Sequence, residues 1–123
     1  MLVRAIDKEL LDLLMEMGKS SFPDEFLVML GMEKGVINMT YPIPGTRVSH
    51  DSANIFMDMI PLGMRIAGTA HSHPNGCLQP SDADLSTFSE SGQCHIIVGA
   101  PFDETSWRCY DRNGNPRTLE VIP

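Results

Sequence analysis

One stretch limits what this chain can become more than any other: Met64 to Asp84, MRIAGTAHSHPNGCLQPSDAD. Met64 to Ala70 is an apolar run of strand composition, and Pro74, Asn75 and Gly76 end it. Pro80 followed by Ser81, Asp82 and Asp84 then opens a helix. On a strand, alternate side chains share a face, so His71 and His73 leave the same side of the sheet. A carboxylate in the first turn of the helix, Asp84 by spacing, reaches back toward the same point. Two neutral imidazoles and one carboxylate suit a catalytic zinc ion, which keeps a fourth position for water. A competing use of Asp84 is capping. Ser81 and Asp84 stand three apart, as in a capping box, although Glu or Gln is usual at the second position. Spacing alone leaves both uses open.

His71-Ser72-His73-Pro74, six further residues, then Ser81-Asp82-Ala83-Asp84 resembles the JAMM (MPN+) metalloprotease pattern, H-[ST]-H-P-x6-S-x-x-D with a Glu upstream. The resemblance extends over nearly the whole chain, from the first helix to Val121. It implies one zinc ion per chain held by His71, His73 and Asp84, a Glu acting on zinc-activated water, and Ser81 assisting the developing oxyanion. It also implies the deaminase-like fold of that family.

The chain has 123 residues, the size of one domain with a real core, so residues 1–123 are read as a single domain. Sixteen acidic against nine basic side chains give a net charge of −7, which excludes nucleic acid as partner because phosphate binding needs a basic face. No apolar run reaches the roughly 20 residues of a membrane span, and no secretory leader pattern opens the chain. A soluble cytoplasmic protein is the expectation. Cys77, Cys94 and Cys109 are an odd number without CxxC spacing, so neither a full disulfide framework nor a four-thiolate zinc site is available. One bridge with a spare thiol remains open, and Cys77, four residues after His73, is a minor rival ligand.

In chain order, Asp7 to Gly18 is a helix with Leu10, Leu11, Leu13, Leu14 and Met17 on one apolar face, Asp7 as N-cap and Gly18 as stop. Lys19 to Pro23 is a linker. Asp24 to Leu30 is a strand entering the core. At its head, Pro23-Asp24-Glu25-Phe26 resembles the upstream Glu site of the JAMM pattern, which makes Glu25 the general base. Asp24 is its competitor one residue away, on the opposite face of a strand. Glu33-Lys34-Gly35 is a hairpin turn and Val36 to Tyr41 the returning strand. Thr46 to Asp51 is a loop in which His50 is a surface residue. Ser52 to Met59 is a further strand, Pro61-Leu62-Gly63 a turn, and Met64 to His73 the ligand-bearing strand. By resemblance, Phe56 to Met64 borders a channel that takes an extended peptide by strand addition. Ser81 to Glu90 is the second helix, with Leu85 and Phe88 inward and Ser91-Gly92 at its end. Cys94 to Gly99 is a buried strand whose His95 is structural. Trp107 to Tyr110, a turn at 111–114, and Thr118 to Ile122 make a final hairpin. The sum is a mixed α+β (or α/β) domain: a central, mostly antiparallel sheet flanked by two helices.

The resemblance implies hydrolysis of the peptide or isopeptide bond after the C-terminal glycine of a ubiquitin-like modifier. For a bare domain like the stand-alone prokaryotic members, the substrate would be a small ubiquitin-like or sulfur-carrier protein with a Gly-Gly tail. The principal alternative is a non-catalytic MPN-type scaffold or a binder of such tails. A cytidine deaminase would need a PCxxC pair, which is missing. Oligomeric state and the choice between linear and branched substrates are not encoded legibly.

Overall fold

A computed structural model describes residues 2–42, 66–90 and 92–123. The expected loop at Thr46–Asp51 with His50, the strand at Ser52–Met59, the turn at 61–63, the channel border at Phe56–Met64 and Ser91 lie outside the described residues. The elements run β1 (Ala5–Asp7), α1 (Lys8–Ser21), β2 (Leu27–Glu33), β3 (Val36–Pro42), β4 (Ile66–His73), α2 (Asp82–Glu90), β5 (Cys94–Gly99), β6 (Trp107–Tyr110) and β7 (Glu120–Ile122). Among the described residues the strands form one seven-stranded sheet in the order β6-β5-β4-β2-β3-β1-β7. The expected mixed α+β architecture is what forms. At its centre β2 pairs antiparallel with both β3 and β4, and β6 adds to β5 in the same sense. Parallel pairing enters where β4 meets β5 and where β1 lies between β3 and β7.

Asp7 caps α1 as its side chain accepts from the Glu9 N–H at 3.2 Å. Leu10, Leu11, Leu14 and Met15 bury against the sheet. Two expectations for this helix change. Leu13 is 46% exposed, because the inward arc is only as wide as the sheet surface beneath it. Gly18 does not end the helix, which runs to Ser21; Gly18 is there for space, since a Cβ on it would stand 2.5 Å from the Phe102 ring. β2 begins at Leu27 rather than Asp24, so Asp24 and Glu25 belong to the approach and not to the ladder. The β2–β3 hairpin turns on Lys34 and Gly35 at φ 52° and 79°, the left-handed pair that matches the twist of the strands.

Period-2 alternation divides the sheet between two cores. One face of β5, with Cys94, Ile96 and Val98, joins Val28, Leu30 and Ala70 under α1. The opposite face carries Ile97, which packs with Phe88 of α2, Tyr110 of β6 and Leu78. His95 belongs to that second face. It is fully buried, stacks on Phe88 with ring centroids 4.3 Å apart, takes the Thr69 hydroxyl at Nδ1 (2.7 Å) and donates from Nε2 to the Gly92 carbonyl (3.1 Å). The structural role expected for it is the role it has. Leu85, expected inward with Phe88, is 37% exposed and lies along Gly114, because so short a helix buries a single large side chain.

The expected final hairpin does not form. Beyond β6 the chain keeps one bridge, Tyr110 to Pro116, and then crosses to the far edge, where β7 pairs parallel with β1. Arg117 anchors that crossing by donating to the Val3 and Gln93 carbonyls at 2.7 and 3.3 Å. Among the described residues no helix is long and apolar enough to cross a membrane.

Candidate metal centre

The alternation that sorts the two cores also sets the site. Thr69, His71 and His73 take the α2 side of β4, and Ser72 takes the α1 side. β4 is held in register by Leu27 opposite His71 on one flank and Ile97 opposite His71 on the other. The chain then turns at Pro74–Gly76 and enters α2 through a reciprocal cap. The Asp84 N–H donates to the Ser81 hydroxyl at 3.1 Å, and the Ser81 N–H donates to Asp84 Oδ2 at 2.8 Å. Capping and ligation are alternatives for Asp84 in the sequence. In the fold the cap is what points Oδ2 at the imidazoles, so the two uses are compatible in one carboxylate.

His71 Nε2 and His73 Nε2 are 3.1 Å apart, and each is 3.2 Å from Asp84 Oδ2. Among the described residues this is the single cluster of three or more His, Cys, Asp or Glu side chains with converging ligand atoms. His73 Nδ1 lies 2.8 Å from the Cys77 carbonyl oxygen, which can only accept, so Nδ1 carries the proton and Nε2 presents a lone pair. A lone pair therefore faces a carboxylate oxygen at hydrogen-bond distance, an arrangement that requires a cation or a proton between them. Two ligands of one tetrahedral zinc, each about 2.0–2.1 Å from the ion, stand roughly 3.3 Å apart. The observed triangle has that size, and a ligating His whose second nitrogen donates to a carbonyl is the usual supporting arrangement. The donor set fits zinc.

The electrostatics point the same way. The hydrogen bond with Asp84 raises the His73 ring above its ordinary value, against the opposing effect of burial. Burial alone would raise the Asp84 carboxyl, but hydrogen bonds with His71 and His73 outweigh it and hold the group well below the usual carboxylate range. Without a cation, a proton takes its place.

A cleft of about 760 Å³ opens over the triangle, with Pro23, Glu25, Ser81 and Thr87 among its lining residues. Glu25 Oε1 is 3.9 Å from His73 Nε2, and its side chain is 57% exposed. The neighbouring Asp24 is not part of the lining. Glu25 is brought there by Ser72, to which the sequence pattern gives no role. The buried Ser72 hydroxyl accepts the Phe26 N–H at 2.9 Å, and the Ser72 N–H donates to the Phe26 carbonyl at 3.2 Å. Ser81 uses a lone pair for its cap, which leaves its O–H proton free to donate into the cleft. Cys77 contributes its carbonyl; its thiol is not part of the converging cluster.

A seven-stranded mixed sheet with paired histidines at the end of a central strand and an aspartate on the following helix defines a metal-site fold of the MPN type. The family description "prokaryotic homologs of the JAB domain" matches residues 7–110, and this chain belongs to that family. It is 36% identical to a probable metalloprotease of Haloferax volcanii, over 98% of this chain and 80% of that protein. Among solved structures it resembles a JAB1/MPN domain protein from Archaeoglobus fulgidus, with 39% identity, 97% of this chain and 99% of that one covered, and a TM-score of 0.81. It also resembles the structure described as JAMM, a metalloprotease-like zinc site in the proteasome and signalosome: 37% identity, 98% and 99% covered, TM-score 0.78.

Proposed function

We propose that this chain is a zinc-dependent peptidase of the JAMM type. It would cleave the peptide or isopeptide bond after the C-terminal glycine of a ubiquitin-like or sulfur-carrier protein. The observation that carries the reading is the convergence of His71 Nε2, His73 Nε2 and Asp84 Oδ2 at 3.1–3.2 Å from one another, with the His73 Nδ1 proton committed to the Cys77 carbonyl. The likeness to a probable metalloprotease supports the reaction class.

His71, His73 and Asp84 would hold the ion, which when bound supplies Lewis acidity toward a carbonyl and a water. The remaining work falls to this chain's own groups. Glu25, at the lip of the cleft and beside His73, is the proton acceptor for the attacking water and the donor to the leaving amine. The free Ser81 O–H is a hydrogen-bond donor for negative charge growing on the carbonyl oxygen. The open cleft suits an extended tail better than a folded surface, and a tail ending in two glycines carries no side chain to exclude.

The test is zinc per chain by elemental analysis, together with cleavage of a Gly-Gly-tailed ubiquitin-like fusion. Wild type should hold about one zinc, lost in both His71→Ala and Asp84→Ala. Glu25→Gln should keep its zinc and lose about 10² to 10⁴ in rate. Zinc retained in both ligand variants would refute the site, and full turnover by Glu25→Gln would refute the base.

A further inference from the structure

Tyr110 ends β6, a strand that carries no residue of the His-x-His and Ser-Asp pattern. Its side chain nevertheless reaches the loop that supports His73. The ring is 2% exposed and packs beside Phe88 with centroids 6.2 Å apart, and the hydroxyl donates to the Leu78 carbonyl at 2.5 Å. Leu78 packs into the same small apolar cluster as Phe88 and Ile97. The preceding carbonyl, that of Cys77, receives the His73 Nδ1–H. Because peptide units are planar, only the two backbone dihedrals of Leu78 separate the carbonyl that Tyr110 holds from the carbonyl that His73 uses.

We propose that Tyr110 is a positioning residue for the metal centre: by fixing the Leu78 carbonyl it aims the Cys77 carbonyl at His73, selecting the Nδ1–H tautomer that turns Nε2 toward Asp84. The inference rests on the metal-site reading above and extends it to a residue outside the pattern. Two features make the loop dependent on such an anchor. Between Asn75 and Pro80 the chain belongs to no helix or strand. Two further ties are short-range: Gly76 N–H to the carbonyl of His73 at the end of β4 (3.0 Å), and Cys77 N–H to Asn75 Oδ1 within the loop (2.9 Å). Tyr110 is the long-range tie, to a second strand of the sheet, and its ring also braces Phe88, four residues after Asp84 on α2. One side chain thus references the His73 support and the Asp84 helix to the same strand.

The experiment compares wild type, Tyr110→Phe and, as a core trim remote from the site, Ile37→Val. Zinc affinity is read by chelator competition. The His73 tautomer is read by nitrogen-15 chemical shifts in the metal-free protein, at a pH high enough to leave the ring neutral. Loss of a group that orients a zinc ligand costs about 10- to 100-fold in affinity, so Tyr110→Phe should bind zinc about tenfold more weakly. Its His73 should show a mixture of tautomers, where wild type and Ile37→Val show Nδ1–H alone. Wild-type affinity and tautomer in Tyr110→Phe, or an equal loss in Ile37→Val, would overturn the proposal. If Tyr110→Phe does not fold in buffer alone, the same two readings are made in an osmolyte such as trimethylamine N-oxide, which favours the folded state, and decide between the same two results. A wild type that binds no zinc would defeat the metal-site reading, and the tautomer comparison would still decide whether Tyr110 orients His73.

Discussion

His95 gives the protein an acid weakness that does not involve the metal. Burial pushes its pKa down from the ordinary 6.5 to about 4, with the hydrogen bond to the Gly92 carbonyl opposing. The neutral ring is the one the fold uses, because Nδ1 accepts from Thr69 while Nε2–H donates to Gly92. The folded chain therefore binds this proton less tightly than the unfolded chain. Stability from this source is complete above about pH 6.5, falls as pH drops from 6.5 toward 4, and falls no further below that. With those two values, keeping the ring neutral costs about 0.2 kcal/mol at pH 7 and about 2 kcal/mol at pH 5. His73 contributes with the opposite sign, since its raised pKa favours the fold on the acid side. The comparison must therefore be between proteins that share His73. The perturbation is His95→Gln, and the assay is urea unfolding of the chelator-treated protein at pH 7 and pH 5. Whatever the substitution costs at pH 7, the variant should lose about 2 kcal/mol less than wild type between the two pH values. Equal losses in the two proteins would show that the His95 proton is not excluded by burial and would refute the argument.

Ser81→Ala should reduce turnover by about 10² to 10³ through loss of the oxyanion donor, and should also cost about 1 kcal/mol in unfolding because the α2 cap goes with it. Single-turnover rates and a denaturation midpoint separate these two effects. Zinc must displace a proton from the His73–Asp84 pair, so apparent zinc affinity should fall about tenfold per pH unit below the raised His73 pKa and level off above it. A pH-independent affinity from competition titrations would refute that coupling. Cys94 and Cys109 are buried with their sulfurs 2.7 Å apart, and the Cys94 thiol is pushed well above its ordinary range by its contact with Cys109 and by burial. The folded protein should therefore take one alkyl group, on the exposed Cys77, and three after denaturation without reductant. One after denaturation would mean that the buried pair is oxidised.

What the sequence disclosed about the site was whatever depends on short spacings. His71 and His73 share a face because a strand has period 2, and Ser81 with Asp84 is legible as a helix start whichever use the carboxylate has. Glu25 is found by resemblance, and its assignment to a strand is wrong in detail, because it precedes β2 and is placed by Ser72 across 46 positions of chain. No local pattern marks such a bond. β1 and β7 escape or are misassigned for a related reason. Each has three residues, too few to show a period, and each exists only by long-range pairing, β1 with β3 and β7, and β7 with β1. Gly18 reads as a stop by composition and acts as a packing hole because Phe102, far along the chain, needs the room. Leu13 is placed inward by its helical spacing and Leu85 with Phe88 on the second helix, and neither pattern says how much surface waits to receive them.

The proposed metal ligands and the candidate base are brought together by contacts of very different reach along the chain. His71, His73 and Asp84 lie within one strand-to-helix connection, so their meeting closes a short loop. Glu25 arrives only when β2 zips onto β4 from much farther along the chain. On the proposed reading, a molecule whose β2 edge has frayed would keep His71, His73 and Asp84 together and could still load zinc, while its Glu25 swings away from the cleft. Metal content in a stressed or aged preparation would then overstate the fraction of molecules able to turn over, and the two quantities should part company first under conditions that loosen β2.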